Sequence, residues 1–265
     1  MAKAATIAGI FVALAIVGYA GFTSLFPTYR VRYQLDLEVE DNGQSKFFSQ
    51  VVEFNYSLLP DSLVSGYSGR KFGGEFHGAA PTIDLGEKGL VFIIDRYSSD
   101  RWTSHCYWQS NNKPNPSCVR SVTLDELPFR AFGYPVDVMP SVAASYLFQI
   151  QRRHDTVSIP IADLPMMIRF RDKSDPHSLE EVDPRDFVRI FGPGYSVVRA
   201  SLRLTSAPIG GPSAKWPPFL ARISKELQNG TVQEKLMKGE LLDEVSGTIA
   251  RIHQFEQIYI TDFLK

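Results

Sequence analysis

Three features of this 265-residue sequence predict an α+β fold. It is a predominantly antiparallel β body with a few short helices, preceded by one N-terminal transmembrane helix. The first feature is an unbroken two-residue alternation from Arg30 to Glu40 that runs into Asn42-Gly43, the pair best suited to a tight hairpin turn. The second is composition, since 18 Phe, 11 Tyr and 17 Pro suit strands and turns better than a helix bundle. The third is Ala4 to Phe26, 23 positions without a charge. As a helix that stretch reaches about 34 Å, enough for a hydrocarbon core of roughly 30 Å.

The chain is thus expected to divide into an anchor over residues 1–28 and an extracytoplasmic α+β domain over residues 29–265. A cleaved signal peptide is the rival reading of the first part, with Lys3 as its charged flank and Gly18-Tyr19-Ala20 as a small-residue cleavage pattern. Processing after Ala20 therefore stays open. The apolar run continues through Phe22, Leu25 and Phe26, and that length favours retention. Lys3 on one side and Arg30 with Arg32 on the other nearly balance, so charge alone does not orient the anchor. Cys106 and Cys118, the only two cysteines, can close a disulfide across the Asn- and Pro-rich loop between them, which points to an oxidising compartment. The expectation is a single-pass protein of the inner (plasma) membrane with its body on the periplasmic or extracellular side.

From Arg30 to Glu40, Val31, Tyr33, Leu35, Leu37 and Val39 share one face of a strand and the charged residues share the other. With Asn42 and Gly43 as the loop, Val31 faces Phe54, Tyr33 faces Val52 and Leu37 faces Phe48 on the returning strand. Leu58 to Gly89 is glycine-rich and reads as a long irregular excursion. Leu90 to Ile94 reads as a core strand, and Val119 to Leu124 as the strand returning from the loop closed by Cys118. Pro140 to Gln151 has helical spacing and stops before the charged turn Arg152-Arg153-His154-Asp155. Met166 to Phe170 reads as strand. Asp183-Pro184-Arg185-Asp186 supplies a helix N-cap, a first-turn proline and a first-turn acid, and Gly192-Pro193-Gly194 ends the helix from Pro184 to Phe191. Val197 to Thr205 is a second alternating strand, with Val198, Ala200, Leu202 and Leu204 assigned to its apolar face. Trp216 to Leu227 has the spacing of an amphipathic helix, and a strand is expected around Ile258 to Ile260.

Chemistry-bearing motifs are sparse. Gly66-Tyr67-Ser68-Gly69 lacks the second glycine of a nucleophile elbow, and Lys71-Phe72-Gly73-Gly74 lacks the ending of a phosphate loop. Asp172, Asp175, Glu180, Glu181 and Asp183 fail the calcium-loop spacing and read as a solvated acidic turn. The five histidines form no metal-binding pair, so no metal and no cofactor is expected. The 28 Lys and Arg balance 29 Asp and Glu without a basic stripe, which argues against nucleic acid. Trp102, Tyr107 and Trp108 could form a stacking surface, or pack beside the disulfide. His77, in the glycine-rich stretch, and His105, beside Cys106, are the histidines with functional potential.

Thr28 to Glu40 (TYRVRYQLDLEVE), Glu181 to Gly194 (EVDPRDFVRIFGPG) and the closing Ile260 to Lys265 resemble a group of uncharacterised bacterial membrane-anchored envelope proteins. The resemblance implies an envelope location and brings no catalytic residues with it. The expected function is a membrane-anchored envelope protein acting as a non-enzymatic binding or assembly module for a partner protein or cell-wall component. The alternative is an envelope hydrolase whose site forms only in three dimensions. Under the first reading Trp102, Tyr107, Trp108, His77 and His105 are the binding residues.

Overall fold

The computed structural model describes residues 27–65, 72–93, 122–165, 167–172 and 178–210. Strand β1 (Thr28–Asp41) and strand β2 (Gln44–Ser57) form the long hairpin that the alternation requires. Its register is the expected one, with Val31 opposite Phe54, Tyr33 opposite Val52 and Leu37 opposite Phe48. Asn42 and Gly43 both take positive φ, as a two-residue turn of this hand demands. Val31, Tyr33, Leu35, Leu37 and Val39 are all buried, while their neighbours stay on the outer face.

β1 is the centre of a five-stranded antiparallel sheet. Its order is β3 (Gly74–His77), β2, β1, β9 (Tyr195–Leu204) and β6 (Thr156–Ile159). A second antiparallel sheet has the order β4 (Thr82–Asp84), β5 (Leu90–Ile93), β7 (Met167–Phe170) and β8 (Leu179–Val182). The inner face of the large sheet shares one apolar core with Ile83, Val91, Ile93 and Met167 of the second sheet. The same core takes in Leu127 and Phe129 of α2 (Leu127–Ala131) and Ala143, Leu147 and Ile150 of α3 (Pro140–Ile150). Burying each large apolar side chain in this way contributes about 1.5–3 kcal/mol before chain entropy is set against it. The two other α-helices among the described residues are short, α1 (Asp61–Val64) and α4 (Phe187–Phe191).

Two tyrosines fasten the large sheet to the rest of the core. Tyr33 donates its hydroxyl to the Leu124 carbonyl at 2.8 Å, and Tyr56 donates to the Asp125 carbonyl at 2.6 Å. The buried Asp125 carboxylate then accepts from the Gly74 amide at 3.0 Å and from the Thr123 hydroxyl. A carboxylate so deep in the protein is tolerated because these donors replace the water it loses.

The α+β architecture of mainly antiparallel sheet with few short helices is as expected; the membrane part of that expectation is corrected. Among the described residues no helix is long and apolar enough to cross a membrane. The longest of them, α3, has 11 residues, whereas a span needs about 20. Among the described residues the two-residue period of the apolar residues builds sheet and leaves only short helices. Ala4 to Phe26 lies outside the described residues. The single-pass topology, the membrane as partner and the inner-membrane location therefore find no support. Nor is there a disulfide among the described residues; Cys106 and Cys118 lie outside them.

Local punctuation also shifts. Asp183 does not cap a helix. Its carboxylate accepts from the Arg185 amide at 2.9 Å, a turn forms over residues 183–186, and α4 starts at Phe187 with Asp186 as its cap. In β9 the pairing with β1 slips between Glu38 and Val39, so that Val198 is the extra residue of a β-bulge. Val198 is 51% exposed and Val197 is buried in its place. Part of the glycine-rich excursion is ordered as β3 and β4, which sequence alternation was too short to reveal. The expected helix over Trp216 to Leu227, the strand near Ile258, and residues 119–121 of the strand expected to end at Leu124 lie outside the described residues. Leu124 itself belongs to a short 3-10 turn.

The closing glycines of the Phe-Gly-Pro-Gly run have a structural task. Gly194 has φ +90°, its carbonyl accepts from the Asn42 amide at 2.8 Å, and a Cβ on it would stand 2.8 Å from Asn42 Oδ1. The turn after α4 thereby docks on the tip of the first hairpin. Gly43 also has positive φ but open space around it. Gly194→Ala is expected to lower unfolding stability by about 1–3 kcal/mol and to cost more than Gly43→Ala, because only Gly194 adds a steric clash to backbone strain. Chemical denaturation of both variants checks this; equal losses would remove the docking argument.

Candidate functional site

The site follows from three charged side chains that the sequence scatters and the sheet gathers. β1 enters with Arg30 and Arg32 on its outer face, two residues apart and therefore side by side. β9 leaves antiparallel to it, and Thr205 extends the ladder by donating its amide to the Arg32 carbonyl at 3.1 Å. α3 ends at the same edge of the molecule, where Gln151 Nε2 donates to the Arg30 carbonyl at 2.8 Å. The turn after it then presents Arg153 and His154. Between these segments lies an open cleft of about 630 Å³, lined by Arg30, Arg32, Gln151, Arg153, His154 and Thr205 among others.

The arginines that line it are paired with carboxylates behind and beside it. Glu53, 2% exposed, receives Arg30 Nε at 2.9 Å and Arg32 Nε at 2.7 Å, one arginine on each oxygen. Arg32 is anchored further by donating Nη1 to the Ala207 carbonyl at 3.0 Å. Asp155 accepts from Arg153 through both oxygens, at 2.8 and 2.7 Å, and the Arg153 guanidinium lies 5.0 Å from the centre of the Phe132 ring. Arg30 differs from the other two arginines. Its side chain is 65% exposed, it reaches Glu53 through Nε, and no described residue bonds its two terminal amino groups. The cleft is thus lined by three arginines, whose carboxylate partners Glu53 and Asp155 are not among its lining residues, with an exposed His154 beside them.

Of the candidate binding residues and the two cysteines, His77 alone is described. It sits half-buried on β3, its Nε2 is 2.8 Å from the Asn55 amide nitrogen, and it lies 3.9 Å from Glu75 Oε2. No hydroxyl or thiol is hydrogen-bonded to it among the described residues, and it does not line the cleft. Trp102, Tyr107, Trp108, His105, Cys106 and Cys118 lie outside the described residues. Among the described residues no group of three or more His, Cys, Asp or Glu is placed to hold a metal ion. Glu180 of the expected acidic turn instead pairs with Arg169 across β7 and β8.

The sequence did place Arg30 and Arg32 on the outer face of a strand. Their convergence with Arg153 depends on pairings between residues more than a hundred positions apart, and no local signal carries that. The run Arg152-Arg153-His154 at a helix end was the one available hint.

No protein family matches the chain, and neither a curated protein nor a solved structure is similar to it. The membrane-anchored binding or assembly reading and the hydrolase alternative are both corrected. The described residues contain no spanning helix and no metal-holding cluster, and the described histidine of interest is paired with an amide rather than aligned with a nucleophile.

Arg153 holds the Asp155 carboxyl down at about 2, against an ordinary value of 3.8. Because the folded value is depressed, the pair's contribution is complete above the ordinary aspartate range and fades as pH falls towards 2. A carbon-detected NMR titration should place the Asp155 midpoint near this low value, and Arg153→Gln should return it towards the ordinary range. An unchanged midpoint in the variant would mean that Arg153 is not its cause.

Proposed function

We propose that this domain binds a small acidic molecule, a carboxylate or phosphate ester, in the cleft between β1, the end of β9 and the turn after α3. The observation that carries the reading is the terminal face of Arg30. A guanidinium is a planar fork whose paired donors match the two oxygens of a carboxylate or phosphate. Glu53 forms its ion pair with Arg30 at Nε, and the two terminal amino groups, which no described residue bonds, are left to a ligand. Both oxygens of Glu53 and both of Asp155 are taken up by arginines, so neither acid offers a free oxygen to compete.

The volume falls within the few hundred to a thousand Å³ common for small-molecule sites. The cleft is open and polar, which suits a hydrated, charged ligand better than an apolar one. Arg32 and Arg153 supply positive potential from fixed positions, while Thr205 and Gln151 add polar groups at the walls. Fixing the cations in advance lowers the ordering cost of binding. The role of each residue is therefore recognition by Arg30, orientation of Arg30 by Glu53, and charge from Arg32 and Arg153.

Titration of the full chain with citrate and with inorganic phosphate, followed by amide NMR shifts at Thr205 and Ser206, tests the reading. At least one probe should bind saturably and weaken with added salt, and Arg30→Gln should reduce its affinity about tenfold or more. Equal shifts in Arg30→Gln, or no saturable shift with either probe, would overturn it.

A further inference from the structure

The charge around the cleft has a fixed part and a part that depends on pH. Arg30 and Arg32 of β1 share the single carboxylate of Glu53 on β2, so that group keeps one net positive charge. Arg153 is matched by Asp155 through both oxygens, so the pair adds local field but no net charge. Other groups on the neighbouring elements are engaged elsewhere. Arg152, on the same turn, lies with its guanidinium 3.8 Å from the centre of the Phe148 ring, and Arg203 of β9 donates Nη2 to Gln34 Oε1 at 2.9 Å. Tyr134, within electrostatic reach of Arg153, donates its hydroxyl to Gln149 Oε1 at 2.9 Å.

His154 completes the charged and titratable lining of the cleft. It is exposed, no described residue hydrogen-bonds its ring, and it lies within electrostatic reach of the Asp155 carboxylate. Of the side-chain types gathered here, only an imidazole at its ordinary value changes charge between about pH 5 and 8. A proton on His154 therefore takes the cluster from one net positive charge to two.

We propose that His154 couples proton uptake to ligand binding in the cleft, so that the site selects a doubly charged anion and holds it more tightly as pH falls through the imidazole range. This rests on the cleft being an anion site and adds which anion it takes and how pH regulates it. An anion beside Arg30 and His154 favours the charged imidazole, so the complex keeps the proton to higher pH than the free protein does. Affinity is then greatest below the imidazole range of the free protein and is lost as pH rises through that of the complex.

Sulfate is the probe, because it stays doubly charged across this range, whereas citrate and inorganic phosphate change charge within it. The full chain is titrated with sulfate at constant ionic strength, at about pH 5.5 and about pH 8, and followed by amide NMR shifts at Thr205 and Ser206. Wild-type affinity should be about fivefold or more higher at the lower pH, the size of one added charge contact near a surface. His154→Gln should lose that gain, and Arg30→Gln should weaken binding at both pH values. A second measurement needs no variant. In the wild type the midpoint of the His154 ring titration should move upward when sulfate saturates the cleft, in proportion to the logarithm of the same affinity gain.

Saturable binding that needs Arg30 but is equal at both pH values would overturn the proton coupling and leave the anion site standing. So would a gain that survives in His154→Gln, or a ring midpoint indifferent to sulfate. No saturable binding at either pH, or binding indifferent to Arg30→Gln, would overturn the anion site and the coupling together.

Discussion

The structure depends on β1 being hydrogen-bonded along both edges while its side chains alternate without interruption. Every second residue from Val31 to Val39 goes into the core, and the intervening polar residues face outwards. A strand in that position cannot slip. Moving it by one residue against β2 or β9 would bury Arg32, Gln34, Asp36 and Glu38 and expose Tyr33, Leu35 and Leu37. The register of the whole sheet is thereby set by five apolar side chains and a two-residue turn.

From that strand the core is tied down by directed polar contacts rather than by apolar packing alone. Tyr33 and Tyr56 point from the sheet into the core and spend their hydroxyls on the carbonyls of Leu124 and Asp125. The Asp125 carboxylate passes the connection on to β3 through the Gly74 amide. Apolar contact can be satisfied in several arrangements, whereas these bonds require one, since a buried group left unbonded costs about 1–3 kcal/mol. On the second sheet Arg169 plays a comparable part, pairing with Glu180 and lying 4.5 Å from the centre of the Phe191 ring, so that α4 is held beside β7. The candidate cleft sits at the opposite extreme, on the rim of the sheet. There the strands end and their outer-face charges meet a helix terminus.

Legibility in the sequence tracks the length of each pattern. The β1–β2 hairpin, β5, β7, α3 and β9 were visible because periodicity or a capped apolar run extends over several residues. β3, β4, β6 and β8 are no longer than β5 and β7 but lack their continuous apolar runs, and three or four residues are too few for an alternation to stand out from chance. The displaced start of α4 and the outward turn of Val198 have local causes of another kind. In one an Asp-Pro turn competes with a helix cap, and in the other a bulge adds a residue to a strand.

The sequence by itself determined the antiparallel character of the body and the hairpin register, because both rest on contacts between residues close in the chain and on the conformational limits of the turn residues. The tertiary structure alone decided which charges act together. Arg30 and Arg153 are separated by more than a hundred residues, and what brings them to one cleft is the antiparallel return of β9 beside β1 and the docking of α3 under the sheet. Electrostatic interactions depend on distance in space, and distance in space is fixed by the fold.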